Sequence, residues 1–335
     1  MHPFYTFSND ERDELYAALE TIKESPYADY HTFSAAVRAI VRRRRAPTTL
    51  VNAAEQIRSE REKGTSSTHV LRNCPRDRNL PRLGNDDPHT DKHALKKTFI
   101  GEAFLELFAQ LTRTPLLSYA TRFDGDFFTD VISINKYRGK QTGYSDGDLV
   151  FHNDRTAHSV RADYISLLGM RCGLADITYT SLVEGGTLRI GLTADTRRVL
   201  ARPHFVTPFD VVSRDNNRNL TVSEKHPILL GTSGIRYLDT HTTVASDAPP
   251  EAKDALLALK NALTRATKKR HRILEGDLLT FANQNGLHSR ERIEVGDLEQ
   301  ARSRWLLKTY AFRDQSTADR HAARWVGGVA GMVGD

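Results

Sequence analysis

Short runs rich in β-branched and aromatic residues, each closed by Gly or Asp, fill the middle of this chain without alternating with helices. Residues 128–134, 148–151, 162–168, 177–182 and 187–192 read as strands, and 277–281, 287–288 and 305–312 add three more. A parallel sheet needs a crossover, usually a helix, between successive strands. That pattern is missing, so the expected fold is mostly β with flanking helices, built on an antiparallel double-stranded β-helix, or jelly roll.

The helices fall outside this block. Ser8 reads as an N-cap, with Glu11 three residues on as in a capping box. Further helical patterns follow through Gly64, and another runs from about 98 to 111. The three prolines and one glycine of 75–88 mark a loop. We therefore expect one domain over 1–335, with a mainly helical part at 1–115 and the β core at 116–312. The polar, loop-like stretch 202–232 is a candidate lid, 250–269 a helix, and 313–335 a C-terminal extension with a frayed, glycine-rich end. No internal repeat is visible.

With 335 residues, 39% of them hydrophobic, the chain can bury a sizeable core. No apolar run reaches the roughly 18 residues of a membrane span. The N-terminus turns acidic where a signal peptide would be apolar, so a cytoplasmic location is expected. Cys74 and Cys172 are too few for a disulfide scaffold or a multi-cysteine zinc module. The net charge of +6 permits a nucleic-acid partner. Yet the runs Arg42 to Arg45 and Lys268 to Arg272 lie in helix-like segments without interleaved aromatics, which favours solvated helix faces.

Nucleophile-elbow, Walker and dinucleotide glycine patterns are absent, which leaves histidine and carboxylate chemistry. Two histidines and one carboxylate can hold Fe(II) on one side and leave the other open. On a strand the near pair must be i, i+2 to share a face. With 13 His and 42 acidic residues among 335, about 1.6 such pairs arise by chance. Two occur. His89-Thr90-Asp91 sits in the proline loop, a poor place for rigid ligands, whereas His152-Asn153-Asp154 ends an apolar strand.

The surroundings of the second pair carry a resemblance. His152, Asp154, His158, Arg161, Asp163, Tyr164, Leu167 and Arg171 resemble the first metal block of the clavaminate synthase-like, taurine dioxygenase-related Fe(II)/2-oxoglutarate oxygenases. Gly276-Asp277-Leu278-Leu279, Asn283, His288 and Arg290 look like that family's second block, and Arg304-Trp305-Leu306 like its R-W-L segment. Val70 to Pro81 is similar to an upstream stretch, so the resemblance spans about 70 to 312. It lies nearest the bacterial arginine, asparagine and lysine hydroxylases.

What the resemblance implies is specific. His152, Asp154 and His288 would ligate Fe(II), with 2-oxoglutarate and O2 as cosubstrates. Arg304 would fork onto the distal carboxylate of 2-oxoglutarate, helped by Thr178, or by Thr180 if the register slips. Gln141, Thr142 and Ser145 match a substrate-contacting stretch, and Asp239 lies near where arginine hydroxylases place acids for the guanidinium. His241 reads as a loop histidine. Two positions depart from the family: Asp154 replaces its usual Glu, and Lys308 stands where a second arginine grips the substrate carboxylate. The implied activity is hydroxylation of an sp3 carbon of a free amino acid or derivative, in specialised metabolism, with a small molecule as partner. Desaturation or cyclisation on the same fold stays open, as do a cupin-like binding module and a non-catalytic basic nucleic-acid-binding protein.

Overall fold

The computed structural model describes residues 1–334. A two-residue strand β1 (Tyr5–Thr6) leads into helices α1 (Asn9–Leu19), α2 (Tyr30–Arg42) and α3 (Thr48–Lys63). The Ser8–Glu11 capping box at α1 is present in full. Strand β2 (Thr68–Arg72) follows, then α4 (Pro88–Leu95) and α5 (Ile100–Leu111). Neither β2 nor α4 was expected. Asp87 caps α4 through the Thr90 amide, with Pro88 at its first turn, so the last proline of the loop starts a helix.

The β region then runs β3 (Leu116–Tyr119), β4 (Thr129–Val131), β5 (Leu149–His152), β6 (Tyr164–Arg171) and β7 (Thr180–Glu184). Helices α6 (Gly185–Ile190) and α7 (Ala194–Leu200) come next. Residues 187–192, expected as a strand, are therefore largely α6. The apolar alternation of Leu188, Ile190 and Leu192 imitates a strand, but Leu188 and Leu192, four apart, turn inward while Ile190 between them is 85% exposed. The stretch 202–232 is more ordered than expected. It holds β8 (Phe205–Val206), α8 (Val211–Asn216) and β9 (Leu229–Leu230), and β10 (Gly234–Ile235) and β11 (Thr243–Val244) pair back onto β9 and β8.

Helix α9 (Glu251–Arg265) ends short of the expected 269, and the basic run becomes strand β12 (Lys269–His271). It forms a sheet edge beside β7, with Lys269 paired to Glu184 at 2.6 Å and Arg270 to Glu291. Charged residues are well suited to such an edge. The chain closes with β13 (Leu278–Ala282), β14 (Gly286–Arg290), α10 (Leu298–Ser303), β15 (Trp305–Ala311), α11 (Gln315–Arg320) and β16 (Met332–Val333). The glycine-rich end is not frayed. Gly327, Gly328 and Gly331 all take positive φ, and the turns they allow bring fully buried Val333 alongside β3.

Two sheets result. The larger is ordered β1-β2-β13-β6-β15-β3-β16, with β4 also on β15; the smaller is β12-β7-β14-β5. The period-2 alternation of the larger sheet sorts its side chains. Leu168, Met170, Leu278, Trp305 and Leu307 pack against α1, α2, α3 and α5 on one face. Ile165, Leu167, Leu279, Phe281, Leu306 and Tyr310 share the opposite face with Leu182 of the smaller sheet. Asp77 secures the helical layer by accepting the amides of Ile100 and Gly101 at the start of α5. No described helix is long and apolar enough to cross a membrane.

Candidate active site

His152 closes β5, and His288 lies directly opposite it on β14. Their rings are 4.2 Å apart. Asp154, just beyond the strand, directs Oδ1 at both Nε2 atoms, 3.0 Å from His152 and 3.4 Å from His288. All three donor atoms lie within 4.8 Å of one another. The His152 Nδ1–H donates to the Val150 carbonyl at 2.8 Å, which leaves the Nε2 lone pair facing the cluster.

The turn that carries Asp154 is tied down from below. Asn283 accepts the Asp154 amide at 2.8 Å and donates to its carbonyl at 3.2 Å. Asn153 donates to the carbonyls of Asn283 and Gly286 and accepts the Tyr237 amide. The second carboxylate oxygen of Asp154 receives the Lys308 ammonium at 3.0 Å and the Tyr310 hydroxyl at 2.8 Å. Burial alone would raise the Asp154 pKa. The Lys308 charge, followed by the contacts with both histidines, outweighs it and holds the carboxyl well below its usual range. His288, buried beside His152, is pushed down to about 4, so its imidazole is neutral at pH 7.

A cavity opens over this cluster. Leu306, Lys308 and Tyr310 of β15 line it on one side, and Thr180 of β7 and His288 on another. Arg304 projects into it from the start of β15, only 8% exposed, with no carboxylate partner among the described residues. Its neighbour Arg290 donates instead to the carbonyls of Gly143, Ser145 and Gly147. Burial and the Arg304 charge lower the Arg290 pKa to about 10. A buried guanidinium without a counter-ion calls for an anion, and a carboxylate matches its fork.

The other expected residues divide. Gln141 and Thr142 line the cavity, and Gln141 also ties its loop to β5 through the Asp148 carbonyl and the Val150 amide. Ser145 is not on the wall and accepts the Gly147 amide. Thr178 hydrogen-bonds the Glu291 carbonyl at 3.0 Å, off the wall, whereas Thr180 lines it. Asp239 accepts the Tyr237 hydroxyl at 2.7 Å and also lies off the wall. Besides Asp154, the carboxylate at the cavity is Asp210, which the sequence reading missed.

Asp210 caps α8 and is paired with Arg122, with Arg155 3.8 Å away. Burial would raise its pKa, but Arg122 and then Arg155 bring it down to about 2. Nothing local in its sequence distinguishes it from an ordinary helix cap. Tyr310 was missed as well, although its alternation with Leu306 and Lys308 places it on the inner face. As for His89, Asp91 does not join it: that carboxylate accepts the Gly84 amide at 2.6 Å.

No family model matches the chain. L-asparagine oxygenase of Streptomyces coelicolor is 27% identical over 278 residues, covering 81% of this chain and 79% of that protein. Among solved structures, asparagine oxygenase in complex with Fe(II), 2S,3S-3-hydroxyasparagine and succinate superposes with a TM-score of 0.81. The identity there is 21%, and 99% of each chain is covered. The non-heme iron oxygenase OrfP, in complex with Fe and alpha-ketoglutaric acid, gives 0.78 at 19% identity over 98% of this chain and 99% of its own. The chain shares the fold of these non-haem iron oxygenases. Within that class, the resemblance to the taurine dioxygenase-related amino-acid hydroxylases is borne out.

Proposed function

We propose that this protein is an Fe(II)- and 2-oxoglutarate-dependent oxygenase that hydroxylates an sp3 carbon of a free amino acid or amino-acid derivative. The observation that carries the reading is the meeting, in one cavity, of a two-histidine, one-carboxylate donor set and a buried arginine without a carboxylate partner. The two sheets are read as the halves of a double-stranded β-helix within one oxygenase domain.

The donor set fits Fe(II): two neutral imidazoles and one carboxylate leave positions open for cosubstrates. His152, Asp154 and His288 would hold the ion, and Arg304 with Thr180 the distal carboxylate of 2-oxoglutarate. Bound iron supplies, with 2-oxoglutarate and O2, the oxidising power that exchanges a C–H hydrogen for hydroxyl, with succinate and CO2 as co-products. The chain's own task is placement. Lys308 and Tyr310 hold one oxygen of Asp154, which keeps the other aimed at the histidines. The remaining Lys308 donors line the cavity and suit a substrate carboxylate, as a point charge tolerant of its angle. Asp210 offers the opposite charge for an ammonium or a cationic side chain. The segment 202–232, which carries Asp210 to the wall, would serve as the lid that excludes water.

An anaerobic titration with Fe(II) and 2-oxoglutarate, followed by a panel of free and modified amino acids, tests this. Expected are succinate release stimulated by an α-amino acid and a product one oxygen heavier. Stimulation only by compounds lacking any carboxylate would discard the substrate class.

A further inference from the structure

A second group of metal-ligating side chains lies outside the cavity. His89 and His93 stand one turn apart on α4, and their rings are 4.5 Å apart. Asp126, which follows the short 3-10 turn Phe123–Gly125, places Oδ2 2.9 Å from His93 Nε2 and 3.6 Å from His89 Nδ1. Donors about 2.0–2.2 Å from a tetrahedral ion are roughly 3.3–3.6 Å apart, so these separations need little adjustment. Ligand atoms from all three residues lie within 4.8 Å of one another.

Two observations make this more than proximity. Asp124 Oδ2 lies 3.1 Å from His89 Nε2, and a carboxylate only accepts, so that nitrogen carries the proton. In the neutral ring Nδ1 then presents a lone pair toward the Asp126 oxygen. It is buried and has no hydrogen-bond partner. Two acceptors facing each other call for a cation between them, and a carboxylate behind the imidazole is the usual outer support of a metal-bound histidine. The local charge agrees. Asp126 and Asp130 share one ammonium, Lys92, at 3.2 and 2.9 Å, and Asp124 beside His89 adds a third carboxylate.

We propose that His89, His93 and Asp126 form a second metal site, separate from the iron site, that takes a divalent ion of the zinc type. Two imidazoles and a carboxylate suit Zn2+ better than Mg2+ or Ca2+, which prefer all-oxygen sets. Binding replaces the His93 Nε2 proton, which moves to Nδ1, and leaves Lys92 with Asp130. The ion would staple α4 to the loop at the cavity rim. Phe123 in that loop lies against Tyr144, and both Tyr144 and Arg122 line the cavity.

The test uses the full chain, stripped with chelator and loaded with ZnCl2, with bound zinc counted after equilibrium dialysis. A His152→Ala/His288→Ala variant, disabled at the iron site, should retain one zinc per chain. Adding His89→Gln and His93→Gln should remove it, and the same zinc should raise the Tm of the first variant but not of the second. Circular dichroism checks that each is folded. Should the fourfold variant fail to fold, Asp126→Asn in the iron-site variant should weaken zinc binding at least tenfold. No zinc on the iron-site variant, or zinc retained without His89 and His93 or with unchanged affinity in Asp126→Asn, overturns the proposal.

Discussion

Arg304 offers the clearest test of the proposed division between cosubstrate and substrate binding. Its guanidinium is buried without a carboxylate partner, and a charge-assisted bidentate pair contributes a few kcal/mol, on the order of 1.5–3 per hydrogen bond to a charged group. Arg304→Ala should therefore raise the 2-oxoglutarate KM by two or more orders of magnitude while leaving Fe(II) affinity nearly unchanged. An unchanged 2-oxoglutarate KM would show that another residue holds that carboxylate. Lys308→Met should weaken the amino-acid substrate and loosen iron about tenfold, because Tyr310 alone would then fix the outer oxygen of Asp154. The cluster of His152, Asp154 and His288 was legible in the sequence because a strand end forces the i, i+2 spacing and because the second block supplies His288. Thr180 in place of Thr178 depends on where β7 begins; two residues apart, the pair would share one face of a strand, so alternation alone does not tell them apart. Asp210 depends on a long-range approach to Arg122, 88 residues away, which no local pattern encodes.

Among the elements, the ordered segment between α7 and β10 has a pH sensitivity of its own. His226 is buried there, with Nε2 2.9 Å from the Thr207 hydroxyl and Nδ1 3.0 Å from the Pro227 carbonyl. Burial, and then the Arg236 charge, push its pKa down to about 4. The folded state thus favours neutral imidazole. Its contribution is complete above the unfolded value near 6.5 and is lost as pH falls from there through 4, at about 3 kcal/mol in total. Wild type should lose more stability than His226→Gln between pH 7 and 4, read as the difference in urea midpoints. Equal losses would show that the imidazole is not the group responsible. Elements were legible where a cap marks the start, as at α1, or where the apolar pattern is sustained, as at α5 and β15. They were not where a short run leaves the period ambiguous: α6 shows too few inward positions, and β12 looked helical because Lys and Arg favour helices as readily as charged sheet edges.

At the scale of the whole molecule, β15 joins two layers that do different work. Its outward residues Trp305 and Leu307 belong to the core shared with the helices, and Trp305 also donates to Asp130 at 2.8 Å. Its inward residues Leu306, Lys308 and Tyr310 face the cavity. A strand held on both faces can be weakened from one side without being re-aimed on the other, because pairing to β6 along its length fixes the register. Leu307 is fully buried, so Leu307→Ala should cost about 2–5 kcal/mol through lost burial and the cavity left behind. Chemical denaturation should show that loss. Fe(II) and 2-oxoglutarate affinities, measured well below the denaturation midpoint, should stay within about threefold, less than 1 kcal/mol. If affinity for 2-oxoglutarate instead fell in step with stability, the outer core would be setting the position of Arg304 as well as supporting the strand. The helical layer would then be part of the site's positioning machinery, and substitutions along α5 facing Leu307 should reproduce the effect.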